Sequence, residues 1–275
     1  MKNLLGLIVF LLSAALAHCQ LGSKYNIGTA PGQANPAFTG TMENGAIHTN
    51  LYVAEYDYFI LNSSYQTHLP KGNSGAGILL GTKRFESYSI SKYGAAYSYQ
   101  SNISEKLALS IGFAGYYTAD RDDYFPEFDT SFFSLDGGLV LYSDRLFLSI
   151  SAYEFKKRSE SVRVKSMFGY QFYIKRLTGL TVTPVVGIAI NQGLDYLNVR
   201  INAGYKKIKC VFGGATNEFL VGLGYENQKI GIHYLFSYFK SEFSSGFNLN
   251  NRFSLTIKLP RSIPRNTNCF DFQLF

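Results

Sequence analysis

Between Phe132 and Ala152 the chain alternates in character with a period of two, in two runs joined by a polar break at Ser143-Asp144. From Phe133 the odd positions carry Phe133, Leu135, Gly137, Leu139 and Leu141, while the even ones include Ser134, Asp136 and Gly138. After the break the apolar set moves to Leu146, Leu148, Ile150 and Ala152, opposite Arg145, Ser149 and Ser151. Val140 and Phe147 depart from the alternation. The pattern predicts a hairpin with one apolar face, whose arms of roughly ten residues match the length a tilted strand needs to cross a hydrocarbon core.

The same unit recurs from about Ala46 to Leu259. It predicts strands over 46–57, 59–69, 75–84, 88–101, 105–118, 132–142, 145–154, 161–175, 179–191, 195–206, 208–215, 218–226, 229–240 and 248–259. The expectation is therefore an all-β fold, a transmembrane antiparallel β-barrel of about 14 strands, the even number usual in single-chain bacterial barrels. With the N-terminus in the periplasm, the turns near 70–74, 102–104, 143–144, 176–178, 207 and 227–228 fall on the inner side and are all short. The two longest connections, 119–131 and 241–247, fall outside. Asn251 to Leu259, where Phe253, Leu255, Ile257 and Leu259 alternate with Arg252, Ser254, Thr256 and Lys258, reads as the closing strand. Pro260 and Pro264 break the tail that follows, and Phe270, Phe272 and Leu274 leave room only for a very short further strand.

Residues 1–19 read as an export signal: Lys2 gives the positive start, Leu4 to Leu12 the apolar centre and Ala15-Leu16-Ala17 a small-residue cleavage pattern. Cys19 would suit a lipid-modified N-terminus, but His18 occupies the position where a small residue is wanted. No later run of about twenty apolar residues offers a spanning helix. Residues 20–45 lack strand periodicity and are rich in turn formers, including Asn35-Pro36-Ala37-Phe38-Thr39-Gly40, so they are expected to be a periplasmic or plug segment. The barrel is expected over 46–259 and a tail over 260–275.

Composition sharpens this picture. Aromatic residues make up 16%, charged residues only 16%, and there are 26 Gly. That balance suits strands with a lipid-facing side and a crowded polar interior better than a soluble β-sandwich, which would not need so many hairpins of similar length. The formal charge of +7 is dispersed, with the tightest basic runs at predicted strand ends. Export argues against nucleic acid, and outer-membrane lipid headgroups are the simpler acidic partner. Cys210 falls in a predicted strand and Cys269 in the tail, so no disulfide is expected between them.

No catalytic constellation emerges. His48, His68 and His233 lack metal-ligand spacing, and His233 on a strand reads as an interior polar group rather than part of a lipid hydrolase. The carboxylates of Asp120 to Asp123, Glu127 and Asp129 lack the central Gly and late Glu of an EF-hand and read as a solvated loop. Gly72 to Gly77 and Gly222-Leu223-Gly224 lack the strand-to-helix context of nucleotide loops. No metal, cofactor or enzymatic activity is expected. The rings of Phe125, Phe128, Phe132 and Phe133 beside the acidic loop suggest a plug or a partner contact.

Three stretches resemble the PorP/SprF family of outer-membrane proteins, accessories of the type IX secretion system of Bacteroidota. Asn35 to Gly40 is similar to a family motif of the form Asn-Pro-Ala-aromatic-x-Gly, Gly138 to Ser149 to its central hairpin, and Arg261 to Phe270 to its basic cysteine-bearing tail. The segment before Asn35 is poorer in Gln and aromatics than the family's, and Phe270 stands where the family usually has proline. The resemblance implies an outer-membrane barrel that does no chemistry and helps secrete or anchor a surface protein such as an adhesin, holding its C-terminal domain and touching other secretion components, with a part in gliding motility. The expected partner-binding residues are Asn35, Pro36 and Gly40, then Phe125 and Phe128. An outer-membrane channel for small solutes is the alternative. A lumen blocked by residues 20–45 favours the accessory, and an open one the channel.

Overall fold

The computed structural model describes residues 35–41, 45–54, 58–69, 73–125, 127, 129–155, 163–174, 179–190, 194–215, 218–240 and 247–259. The expected signal, residues 20–34 of the segment after it, Phe128, and the whole tail over 260–275 with Cys269 and the strand over Phe270 to Leu274 lie outside these residues. Among the described residues a 3-10 turn, η1 (Pro36–Phe38), precedes the strands β1 (Ala46–Ala54), β2 (Tyr58–His68), β3 (Ser74–Phe85), β4 (Tyr88–Asn102), β5 (Ala108–Asp122) and β6 (Thr130–Tyr142). There follow β7 (Leu146–Phe155), β8 (Arg163–Tyr170), β9 (Phe172–Tyr173), β10 (Leu180–Ile190), β11 (Leu194–Tyr205), β12 (Ile208–Ala215), β13 (Glu218–Glu226), β14 (Ile230–Lys240) and β15 (Phe247–Lys258).

Apart from the break between β8 and β9, each strand pairs antiparallel with its sequence neighbours, and β1 pairs β15 over nine residues from Ala46↔Lys258 to Ala54↔Asn250, so the sheet closes on itself. β8 and β9 both lie along β10 and form one interrupted strand, which gives a closed barrel of 14 strands. The expected continuous strand over 161–175 is thus corrected. The register along β10 is the same on both sides of the break, Val185↔Gly169 and Val182↔Phe172, and the gap falls where Pro184, without an N–H to donate, stands opposite Tyr170, while the Gln171 N–H still donates to Arg145 O at 2.7 Å on the β7 side. β5 also begins three residues later than expected and runs on to Asp122, so Ala119 to Asp122 belong to the sheet.

The inside and outside of the barrel are reversed relative to a soluble protein. Outward positions carry Ile78, Leu80, Ile111, Leu139, Ile150, Leu223 and Leu255, all exposed. Exposed aromatics flank this band at both ends, with Tyr97, Tyr99, Tyr173, Tyr205 and Tyr225 near the short inner turns and Phe85, Tyr117 and Phe219 near the other end. That is the aliphatic belt and aromatic girdle of a lipid-facing barrel. Inward positions carry Asn50, Ser64, Gln66, Ser98, Gln100, Ser110, Asp136, Lys165 and Arg200, all buried. Cys210 faces outward on β12.

The exceptions to alternation have a purpose. Val140 and Phe147 point inward and pack with Ala108, Tyr142, Met167 and Val185 around Ala37 and Phe38 of η1. An apolar core therefore sits inside the barrel at the end where β1 starts, built where a short segment enters the lumen.

Candidate functional site

That segment, Asn35 to Thr41, is a self-capped turn. Asn35 is extended (φ −163°) and its Oδ1 accepts from the Ala37 N–H at 2.9 Å, while Pro36 takes the first helical position, where no N–H is required. Phe38, Thr39 and Thr41 N–H groups donate to the carbonyls of Asn35, Pro36 and Phe38 at 3.0, 3.1 and 3.1 Å. Gly40 closes the turn at φ +66°, a conformation that favours glycine.

Every side of the turn is fastened to the wall. Asn35 Nδ2 donates to Ser149 Oγ at 2.9 Å and lies within 3.2 Å of Leu139 O and 3.1 Å of Ile150 O. Ser110 Oγ donates to Ala37 O at 2.6 Å. Ser98 Oγ and Gln100 Nε2 donate to Thr39 O at 2.5 and 3.3 Å, and the Gly40 N–H donates to Gln66 Oε1 at 3.3 Å. The chain continues beyond the plug: Gln66 Nε2 meets His48 Nε2 at 3.0 Å, and His48 Nδ1 meets Thr256 Oγ1 at 3.0 Å, which ties the plug to the β1–β15 seam.

The wall makes room with glycines. A Cβ on Gly138 would lie 1.9 Å from Asn35 Oδ1, one on Gly112 2.3 Å from the Ala37 N, and one on Gly75 2.3 Å from Thr39 O. These three positions admit no larger residue without moving the plug. Gly138, Leu139, Ser149 and Ile150 all belong to the central hairpin or its immediate continuation, so the two stretches singled out as family-like, 35–40 and 138–149, meet as plug and socket.

Of the expected site residues, Asn35, Pro36 and Gly40 are buried together in this plug. Phe125 lies far from them in sequence, at the tip of the β5–β6 connection, where it is 53% exposed beside Tyr124. Phe133 is on the outward face of β6 with its ring 5.3 Å from that of Tyr117, part of the lipid-facing girdle rather than of the loop. Two carboxylates of that loop serve its own backbone: Asp122 Oδ1 accepts from the Tyr124 and Phe125 N–H groups, and Asp129 Oδ1 from the Asp122 N–H, while Asp123 lies 3.9 Å from Arg84. Among the described residues no group of His, Cys, Asp and Glu is arranged to hold a metal ion. His233 faces inward, its ring laid over Gly224, which leaves no space there for a Cβ. His68 is also inward and buried.

Two inward features escaped the sequence pattern. One is the socket itself, Gln66, Gly75, Ser98, Gln100, Ser110, Gly112 and Gly138; small and amide residues on an inward face carry no distinctive spacing. The other is a set of cations, Lys165, Arg200 and Arg252, on the inward faces of β8, β11 and β15. Also inside, Lys92 Nζ sits 3.6 Å from the centre of the Tyr116 ring, the Arg252 guanidinium 5.7 Å from that of Tyr52, and Lys258 pairs with Glu226 at 2.5 Å.

The sequence matches no family model and no curated protein. Among solved structures the barrel is similar to the outer membrane protein Omp33 of Acinetobacter baumannii, at 8% identity over 80% of this chain and 100% of that one, with a TM-score of 0.56. It is also similar to the CymD monoaromatic hydrocarbon channel (11% identity, 90% and 97% of the two chains, TM-score 0.53) and to the P. putida toluene transporter TodX (11%, 90% and 98%, 0.53). At such identities the likeness is one of fold. The chain is a barrel of the outer-membrane type.

Proposed function

We propose that this chain is a non-enzymatic outer-membrane channel for small solutes, closed at rest at its inner end by residues 35–41. The observation that carries this reading is the inward face beyond the plug. There Lys165, Asn198, Arg200 and Asn250, buried on the inward face, are charges and amides of the kind that serve a solute path once the lumen opens, while a short turn, fastened by side-chain hydrogen bonds, occupies the inner end. Transport by CymD and TodX, barrels of similar fold, supports it. The test is conductance in planar bilayers. Wild-type protein is expected to be nearly silent, and Asn35→Ala with Gly138→Val to open steady currents. A correctly folded double variant that stays silent overturns the channel.

A second reading, an accessory of type IX secretion that helps secrete or anchor a surface protein, is favoured by a different observation: the inner end is filled, and the two family-like stretches are the plug and its socket. On this reading Phe125 at the outer end, and the plug at the inner, are the surfaces for cargo and secretion components. Affinity capture of the tagged protein from solubilised native outer membranes distinguishes the two. Recovery of a large surface protein or of secretion components supports the accessory, and a barrel recovered alone removes its support.

A further inference from the structure

We infer that the inner rim of the barrel between β11 and β14 docks the phosphate headgroup of an anionic glycerophospholipid of the inner leaflet, through Lys206, Lys207 and Lys229. The surface rests on neither reading of function and is the same whether the lumen passes solutes or serves secretion.

The backbone brings the three lysines side by side. Lys206 and Lys207 form the two-residue turn between β11 and β12, and Lys229 ends the turn between β13 and β14. The Glu226 N–H donates to Lys207 O at 2.7 Å and stitches the two turns together; the Lys258 N–H donates to Lys229 O at 2.7 Å and carries the rim on to β15. All three lysines are exposed. Glu226 on this arc is taken up by Lys258, and among the described residues no ion pair engages Lys206, Lys207 or Lys229. Three positive charges therefore remain on a short stretch of rim. On the other described inner turns the charges cancel, because Lys106 follows Glu105 and Arg145 lies 3.9 Å from Asp144.

These charges stand at the edge of the hydrocarbon. Tyr205, Ile208, Tyr225 and Ile232 follow one another in a single ladder row on the outward face, all exposed. Such a row meets acyl chains, and its tyrosines mark the level where headgroups begin. Lys206 lies on this same side of the wall, with its Nζ 5.4 Å from the centre of the Tyr205 ring. Ammonium groups just past a lipid-facing aromatic row are placed where lipid phosphates lie. An acidic protein would be met by lysines turned away from the wall toward water, so the seat of Lys206 against an outward ring favours a lipid. The turn itself adds a sign. Lys206 has φ +54°, a conformation that glycine adopts more readily, so a lysine there keeps a charge at the rim against the preference of the backbone.

The probe is dioleoyl phosphatidylglycerol, titrated in parallel with dioleoyl phosphatidylcholine into the delipidated, detergent-solubilised barrel and read by native mass spectrometry at fixed ionic strength. Phosphatidylglycerol is expected to be retained about tenfold or more over phosphatidylcholine. Lys206→Gln, Lys207→Gln and Lys229→Gln should each lower that preference by about two- to fivefold, and the triple variant should abolish it, in barrels that still shift with heating on gels. Lys106→Gln with Arg145→Gln, elsewhere on the rim, should leave it unchanged. Lys206→Gly separates the charge from the turn: it should lower the preference as Lys206→Gln does without lowering the melting temperature. Equal retention of the two lipids by the wild type, a triple variant that keeps the preference, or an equal loss with the Lys106 and Arg145 control overturns the site. Displacement of the lipid by soluble glycerol phosphate at equal concentration would put a free anion in its place and overturn the lipid as occupant. Binding of polyglutamate without any preference between the lipids would also overturn it and assign the lysines to an acidic protein.

Discussion

Asn35 shows how much one side chain decides. Its Oδ1 caps the plug turn and its Nδ2 reaches three acceptors on β6 and β7, so replacing it takes a bond from each of these partners in a buried network. Asn35→Ala is expected to destabilise the docked plug by about 1–3 kcal/mol. Amide hydrogen exchange across residues 35–41 reads this as an acceleration of roughly five- to a hundredfold, with the outer strands unaffected. Gly138→Ala, which forces a methyl group into the position of Asn35 Oδ1, should accelerate the same amides. The two changes strike one contact, so the double variant should fall short of their sum, and full additivity would disprove the plug-and-socket contact. At this scale the sequence was partly legible. The turn chemistry of Asn35, Pro36 and Gly40 is local and could be read, but that Gly138 exists to admit Asn35 depends on a contact across 103 positions, which no local pattern encodes.

At the scale of the element, alternation located every strand, and its failures marked the lumen core. Phe147 lies inward with its ring against Gly169, in a cluster with Phe38 and Val140. Phe147→Ala is expected to cost about 3–5 kcal/mol, measured by urea unfolding of the barrel in liposomes, because the cavity opens beneath the plug where nothing can collapse to fill it. On the opposite face, Leu80 stands midway along β3 in the aliphatic band. Leu80→Arg should cost about 2–4 kcal/mol in the same assay and nearly nothing for plug exchange, since that side chain meets lipid alone. A Leu80→Arg barrel as stable as wild type would mean that this face is not in the hydrocarbon. Ends were less legible than centres: the break at Tyr170–Gln171 falls opposite Pro184 of β10, which has no N–H to give, and β5 extends to Asp122 because β4 runs alongside it, pairing Asp122 with Tyr88.

For the whole molecule, closure is the decisive event. β15 pairs β14 on one side and β1 on the other, and Leu259 N–H donates to Gly45 O at 2.7 Å just past the seam. Deleting residues 247–275 would leave two unpaired edges at membrane depth, where no water can satisfy them. The truncated chain is expected to lose the heat-dependent gel shift of a closed barrel altogether. A truncated protein that keeps it would show that another strand can take the seam.

By itself the sequence determined the fold class, the number of strands and which face of each meets lipid. Those properties follow from a period of two repeated along the chain, and the hydrophobic effect acts on each residue singly. What the inside of the barrel contains was decided only by tertiary structure. Closing fourteen strands brings Asn35 to Ser149, Gln66 to Gly40 and His48 to Thr256, pairs whose meeting depends on register and curvature. Inward positions need only be polar or small to satisfy the strand pattern, so the pattern is silent about which of them hold the plug and which gather charge.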